Sequence, residues 1–409
     1  MRMDIYRVKE GDTLAGIARE RGLLPTELGE ANGLPADGVP AVGQALLLRT
    51  PQRTHLVREG ETLTELARRY RTTVARLRQL NPALGGGSAL YPGMSLTVAS
   101  ATPPLGSLSV LGFANAATPP EELTPVLPYL SYLAVLACRI GEEGELTPPE
   151  DGAILRAARE GGAVPLLVLS AAGEDGLPGE ERRTRAFLGE DRWQAMADAL
   201  LPLLRTRGYG GILLDLPLPT DLREVYLAFT VRLRHRLGHA AAVLATLPPE
   251  EEDLTRLGRA ASCLLLETHA FASRFSAPAP AAPYDKVKEA AERAAAAVRP
   301  QKLLLGLSTR AEDFPVGDGI GRVLPHSAVA SRTKEGGRLA YDPVGRVPYL
   351  TYREEERDRI LFFEDVESIR EKLLLLDRLG LGGVALHPAV GVDPALLLLL
   401  AELFSIVKP

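Results

Sequence analysis

The sequence predicts an α/β protein: a large (β/α)8 TIM barrel preceded by two small βααβ modules. Three observations carry that prediction. A block of about fifty residues occurs twice at the N-terminal end, at an offset of 49. Eight short apolar runs then alternate with helix-period patterns through the remainder, which is the pattern of a parallel barrel. The chain of 409 residues, 46% apolar and 24% charged, is long enough for one large domain and small additional ones.

The repeat sets the N-terminal boundaries. Tyr6-Arg-Val8-Lys-Glu-Gly11-Asp12-Thr13-Leu14 returns as His55-Leu-Val57-Arg-Glu-Gly60-Glu61-Thr62-Leu63, and Asn32 returns as Asn81. Thr13 and Thr62 are placed to cap the helices that follow, with an acidic neighbour favoured at each helix start. Leu14, Ile17 and Ala18, and their counterparts Leu63, Leu66 and Ala67, fall on one helix face. A second short helix ends at the asparagine, and a turn with glycine (Gly43, Gly93) leads into a closing strand. The expected modules are residues 1–50 and 53–99, followed by a Pro-containing linker at 100–107 and the barrel at 108–409.

The expected barrel strands are the runs 108–113, 132–138, 165–170, 212–216, 242–247, 261–268, 302–307 and 382–386. The fourth is the most informative. Gly211-Ile-Leu-Leu-Asp215 is apolar on both faces, as a buried parallel strand should be, and ends on a carboxylate before Pro217 and Pro219. Barrel enzymes place their chemistry at such strand ends. The stretch 308–365 is too long for a simple connection and is expected to hold an insertion with a small hairpin.

Composition excludes some roles. A formal charge of −5 and the absence of polybasic blocks argue against nucleic-acid and membrane-surface binding. No apolar run has transmembrane length, and the N-terminus lacks an apolar core of signal-peptide length. Cys138 and Cys263 lie in apolar runs and read as buried free thiols, with one bridge as the alternative. No cofactor is expected.

On these residues the repeat resembles the LysM module: V-x-x-G-D-T-L, a helix, an asparagine and a closing P-G-x-x-L strand. The resemblance implies binding of N-acetylglucosamine polymers, peptidoglycan or chitin, in a shallow groove between the loop before the first helix and the loop after the second. The implied glycan-binding residues are Gly11, Asp12, Thr13 and Asn32 in the first module, and Gly60, Glu61, Thr62, Asn81 and Pro82 in the second. The bland alternative is that they only cap helices and make turns. Two departures stand out: Glu61 replaces the usual aspartate, and Gly33-Leu34-Pro35 stands where Asn-Pro is common.

The remainder resembles the glycoside hydrolase family 18 barrel, in its LysM-linked branch of spore-cortex lytic and germination proteins. Gly208-Tyr-Gly-Gly-Ile, Pro300-Gln-Lys-Leu-Leu-Leu-Gly306 and Phe363-Glu-Asp-Val-Glu-Ser-Ile369 carry the likeness. That family uses substrate-assisted catalysis: a strand-four glutamate protonates the leaving oxygen, and an aspartate two residues earlier orients the acetamido group that attacks C1. Here Asp215 keeps the aspartate position, but Pro217 occupies that of the general acid, and proline has no proton to give. On the sixth strand His269 stands at the family's tyrosine, preceded by Glu267. His387 takes the place of the eighth-strand tryptophan, and Cys138 that of a second-strand tyrosine at the mouth.

Two readings follow. In the first, the barrel is a pseudoenzyme within a spore or cell-wall protein that binds glycan. In the second, Asp215, Glu267, His269 and His387 form a rebuilt site, with Glu267 as the acid of an N-acetylglucosaminidase acting on cortex peptidoglycan. The same four side chains offer metal-ligand chemistry, but a satisfied polar network is the stronger expectation and no metal is assigned.

Overall fold

The computed structural model describes residues 4–35, 37–49, 53–84, 89–100, 103–141, 143–171, 186–187, 189–216, 222–238, 241–317 and 319–409. Each N-terminal module is a two-stranded antiparallel sheet closed over two helices. In the first, Asp4–Arg7 pairs with Ala45–Leu48, enclosing helices Leu14–Arg21 and Pro25–Ala31. In the second, Arg53–Leu56 pairs with Ser95–Ala99 around helices Leu63–Arg69 and Val74–Leu80. The apolar faces predicted at helical spacing form the two small cores, Leu14, Ile17 and Ala18 in one and Leu63, Leu66 and Ala67 in the other.

Eight parallel strands close the barrel. They are, in order, Gly106–Asn115, Tyr132–Ile140, Val164–Ser170, Gly211–Asp215, Ala242–Leu247, Cys263–Leu266, Leu303–Ser308 and Gly383–His387, and the eighth pairs with the first. The first strand starts at Gly106, inside the segment expected to be linker. Strand alternation sends Leu213, Leu244, Leu265, Leu304 and Ala385 into one inner cluster. Two residues further along the same strands, Asp215, Thr246, Glu267 and His387 take the inward register at the C-terminal mouth.

The insertion is larger than a hairpin. A five-stranded antiparallel sheet, ordered Arg322–Pro325, Arg310–Pro315, Arg357–Phe362, Val347–Glu354 and Arg338–Asp342, carries helix Ser327–Lys334. Its first strand was hidden by charge. Arg310-Ala-Glu-Asp313 has no apolar alternation, yet Asp313 is fully buried. It is satisfied by Arg322 (2.6 Å), Arg359 (2.9 Å) and the Tyr352 hydroxyl (2.9 Å).

The last helix, Pro394–Leu403, is apolar on every side as far as Ala401, and Leu396 to Leu400 are all buried. Such a helix must be covered all round. The barrel covers one face and the N-terminal modules cover the other: Ala31, Ala45 and Leu47 of the first module belong to the same apolar core as the barrel. Among the described residues no helix is long and apolar enough to cross a membrane.

Candidate functional sites

The two modules share one local design. Thr13 caps its helix by accepting from the Gly16 amide, and Thr62 forms a reciprocal capping box with Glu65. The glycines before the caps, Gly11 and Gly60, have φ of 84° and 77°, and a methyl group added at either would meet nothing within 4 Å. These loop lips are therefore tight, exposed turns that only glycine makes without strain.

Asp12 and Glu61 face inward from the lips. Asp12 accepts from the Tyr6 hydroxyl (2.8 Å) and the Lys9 amide (2.7 Å), and these bonds lower its pKa. Glu61 accepts from the Arg58 amide (2.9 Å), meets His55 Nε2 at 2.6 Å and takes a further bond from Arg69. The Arg58 amide first, then His55, hold its carboxyl down at about 2. The longer glutamate thus does locally what the aspartate does, with His55 in place of Tyr6.

Asn32 and Asn81 use their side chains inside the module. The Asn32 amide nitrogen donates to the Leu28 and Leu47 carbonyls at 2.8 and 3.0 Å, and its oxygen accepts from the Leu47 amide at 2.7 Å. Asn81 does the same with Leu77, Thr97 and the Thr97 amide at 2.7, 2.8 and 2.7 Å. Both are 8% exposed. They fasten the end of the second helix to the closing strand and so set the second lip. Pro82 begins the short 3-10 turn that follows.

At the barrel mouth, Thr246 Oγ1 donates to Asp215 Oδ1 at 3.1 Å. Glu267 directly follows the sixth strand, anchored by its amide on the Leu247 carbonyl at 2.9 Å. Burial pushes its carboxyl up to about 7, reinforced by the negative charges of Asp215 and Glu250. His269 stacks on His387 with ring centroids 5.1 Å apart, and Phe113 meets His387 edge-on at 5.0 Å. Burial holds both imidazoles neutral, His269 down at about 3 and His387 at about 4, aided in both by the Arg310 charge. His269 fits only because residue 306 is glycine: a Cβ there would sit 2.4 Å from Nδ1, a buried atom with no hydrogen-bond partner.

The structure thus brings Asp215 and Glu267 within electrostatic reach of each other, and His269 against His387. Among the described residues it gathers no set of three His, Cys, Asp or Glu fit to hold a metal ion. Pro217 lies outside the described residues.

Cys138 is a correction. It does not reach the mouth. It is fully buried in the layer between strands and helices, where burial raises its thiol to about 12 and Asp151 and Arg207 are its charged neighbours. The register of the second strand slips between Val135 and Cys138, so simple alternation misplaces every residue beyond the slip. Both cysteines are free.

Sequence reasoning missed Thr246, Phe113, Gly306 and Arg310. Thr246 was readable by alternation from Leu244. Arg310 was not, because it comes from the insertion.

Comparison with known proteins agrees with this architecture. The LysM domain model matches residues 6–49 and 55–99. The cortical fragment-lytic enzyme of Bacillus anthracis is 25% identical over 433 aligned residues, covering 99% of each chain. The crystal structure of the Bacillus cereus spore cortex-lytic enzyme SleL superposes with a TM-score of 0.81 at 24% identity, covering all of both chains. A chitinase from Chromobacterium violaceum matches 72% of this chain and 98% of its own, with a TM-score of 0.66 and 18% identity. Residues 6–49 and 55–99 are therefore two LysM domains, and the rest of the chain has the barrel fold seen in the family 18 chitinases and the spore cortex-lytic enzymes.

Proposed function

We propose that this is a spore or cell-wall protein that binds the N-acetylglucosamine-containing strands of peptidoglycan through both modules, and that its barrel no longer performs the hydrolysis typical of its fold. The modules carry the first half of the reading. Each presents a glycine-turned lip (Gly11-Asp12-Thr13; Gly60-Glu61-Thr62) opposite a second lip fixed by Asn32, or by Asn81 and Pro82. Exposed backbone groups at such turns suit sugar hydroxyls and acetamido groups. The asparagines act by holding the lip. The names of the relatives, cortical fragment-lytic enzyme and spore cortex-lytic enzyme, support the spore cortex as the location.

The single observation behind the second half is Pro217, a residue without a transferable proton at the position that the resemblance to the family 18 barrel gives to the general acid. Co-sedimentation of the full chain with purified peptidoglycan tests binding. Incubation with cortex fragments and chitooligosaccharides, followed by reducing-sugar assay, tests inactivity. Retention in the pellet without turnover is the expected result.

One observation favours a second reading, an active N-acetylglucosaminidase. Burial, with the charges of Asp215 and Glu250 nearby, raises the Glu267 carboxyl to about 7, which suits the pairing of protonated acid and carboxylate that glycoside cleavage needs. In that reaction Glu267 gives its proton to the glycosidic oxygen as the C1–O bond breaks, and the substrate's own acetamido oxygen bonds to C1. Asp215 holds the acetamido N–H, and water then opens the ring, returning a proton to Glu267. Release of reducing sugar by the parent chain that disappears in Glu267→Gln would establish this reading over the first.

A further inference from the structure

The modules are not beads on a string. Two arginines, one from each module, converge on the C-terminal end of the last helix. Arg49 Nε donates to Glu402 at 2.7 Å, with the two side chains 13% and 4% exposed. Arg76 of the second module donates to the carbonyls of Ala401 and Phe404, adding partners at a helix end where the Phe404 amide takes the Leu400 carbonyl. Gln79 is bonded twice at 2.9 Å between module and barrel: its side chain donates to the Pro128 carbonyl, and the Tyr129 hydroxyl donates to the Gln79 carbonyl.

The first module also reaches the opposite end of the same helix. A methyl group added at Gly33 would touch Pro394 at 3.4 Å, and one at Gly43 would touch Leu339 of the insertion at 3.1 Å. Arg7 pairs with Glu367 and lies 4.8 Å over the Tyr341 ring.

Direction follows from topology. The last helix leaves the mouth after the strand Gly383–His387 and descends, since the strand after it, Phe404–Ile406, pairs in parallel with the start of the first barrel strand. Pro394 is therefore on the mouth side and Leu403 on the far side. The second module sits beside the far end, and the first extends toward the mouth, its Gly33 lip resting against Pro394. The loop lips at Gly11 and Gly60 remain open.

We propose that the last helix is a seat that holds both modules as one preset, bivalent clamp, whose first groove directs a glucosaminyl strand over Pro394 toward the barrel mouth. The proposal rests on the glycan reading of the modules, but its central geometry does not. A clamp with fixed spacing holds a long strand by effective concentration, whereas freed modules must be reordered on each binding event.

The test is the full chain against its Arg49→Ala/Arg76→Ala double variant, with spin labels on exposed Arg19 of the first module and exposed Glu289 of the barrel. Without glycan, the parent should show one narrow distance population and the variant a broad one. Chitotetraose, which fills a single groove, should bind both with equal affinity. Intact sacculi should bind the variant about tenfold more weakly. A broad distribution in the parent overturns the seat, as does a variant as narrow as the parent. A broad variant that keeps full sacculus affinity overturns the clamp. A variant with disturbed circular dichroism is replaced by Arg49→Gln/Arg76→Gln, judged by the same distances. If the parent binds no glycan at all, the glycan reading fails while the distances still decide the seat.

Discussion

Replacing Asn81 by alanine separates a structural asparagine from a sugar-binding one. The side chain makes three hydrogen bonds, all to backbone groups of its own module, at 2.7 to 2.8 Å and 8% exposure. Removing it strands the Thr97 amide and the Thr97 carbonyl in a buried strand, and weakens the end of the second helix at Leu77. Each buried polar group left without a partner costs about 1–3 kcal/mol, so a total of about 2–4 kcal/mol is expected after partial relaxation. A module of 45 residues has an intrinsic stability of only roughly 2–7 kcal/mol. Asn81→Ala should therefore bring the second module close to unfolding while leaving the barrel strands intact. Hydrogen exchange on the full chain reads this directly: Thr97 should lose most of its protection, and the fourth barrel strand should keep its own. Asn32→Ala should do the same to Leu47. If Thr97 stays protected in Asn81→Ala and peptidoglycan binding is nevertheless lost, the side chain touches the sugar and the structural argument is wrong.

Three further outcomes follow from the mouth and from the last helix. Glu267 has its folded pKa raised from 4.5 to about 7. Below pH 4.5 it is protonated in both states; between 4.5 and 7 only the folded state keeps the proton, so stability falls as pH rises through that window, by about 3 kcal/mol in full. Glu267→Gln should accordingly melt higher than the parent at pH 8 and with it at pH 4, and a lower melt at pH 8 would refute the burial argument. His269 and His387 titrate in the opposite sense. Their folded pKa values lie below 6.5, at about 3 and 4, so the unfolded state takes up protons first and stability is lost as pH falls from 6.5 toward 4. Imidazole NMR should find both rings neutral at pH 5; titration of either above pH 6 would contradict their burial. Finally, a fragment beginning at residue 103 should aggregate on expression, because it uncovers the module-facing side of the last helix; a soluble monomer with the parent's melting temperature would show that the modules are dispensable cover.

The parts of the molecule legible in the sequence were those governed by period. The duplicated module announced itself by repetition, and all eight barrel strands by apolar runs that parallel burial demands. What was illegible had a physical reason in each case. The insertion sheet was masked because its first strand buries Asp313 within an arginine and tyrosine network, and the strand then reads as a charged loop. Cys138 was misplaced because a slip in strand register leaves no mark in residue type. Asp215 was singled out because it ends a strand, and Glu267, His269 and His387 because of the resemblance to the family 18 barrel, while Arg310 and Phe113 could be joined to them only in three dimensions. The asparagines of the repeat carried an ambiguity that no pattern resolves: a residue kept for a buried hydrogen-bond staple and one kept for a ligand occupy the same position.

The last helix shows how such ambiguity can hide an architectural fact. Pro394-Ala-Leu-Leu-Leu-Leu-Leu-Ala401 has no polar face, and in isolation it reads as generic core. A barrel helix packed on strands from one side alone should be amphipathic, as the helix before it is: Val366–Leu379 buries Ile369, Leu373 and Leu376 while Arg378 stays exposed. The absence of a polar side is thus a statement that something else lies against the helix. Arg49 and Arg76 say what it is, since each brings its charge from a module to the one buried acid and the open carbonyls at that helix end. Burying guanidinium groups is costly unless they are matched, and an arrangement in which two separate modules supply the match at one point has no function in a chain whose modules swing freely. The hydropathy of ten residues in the barrel therefore encodes the position of domains more than three hundred residues earlier in the chain.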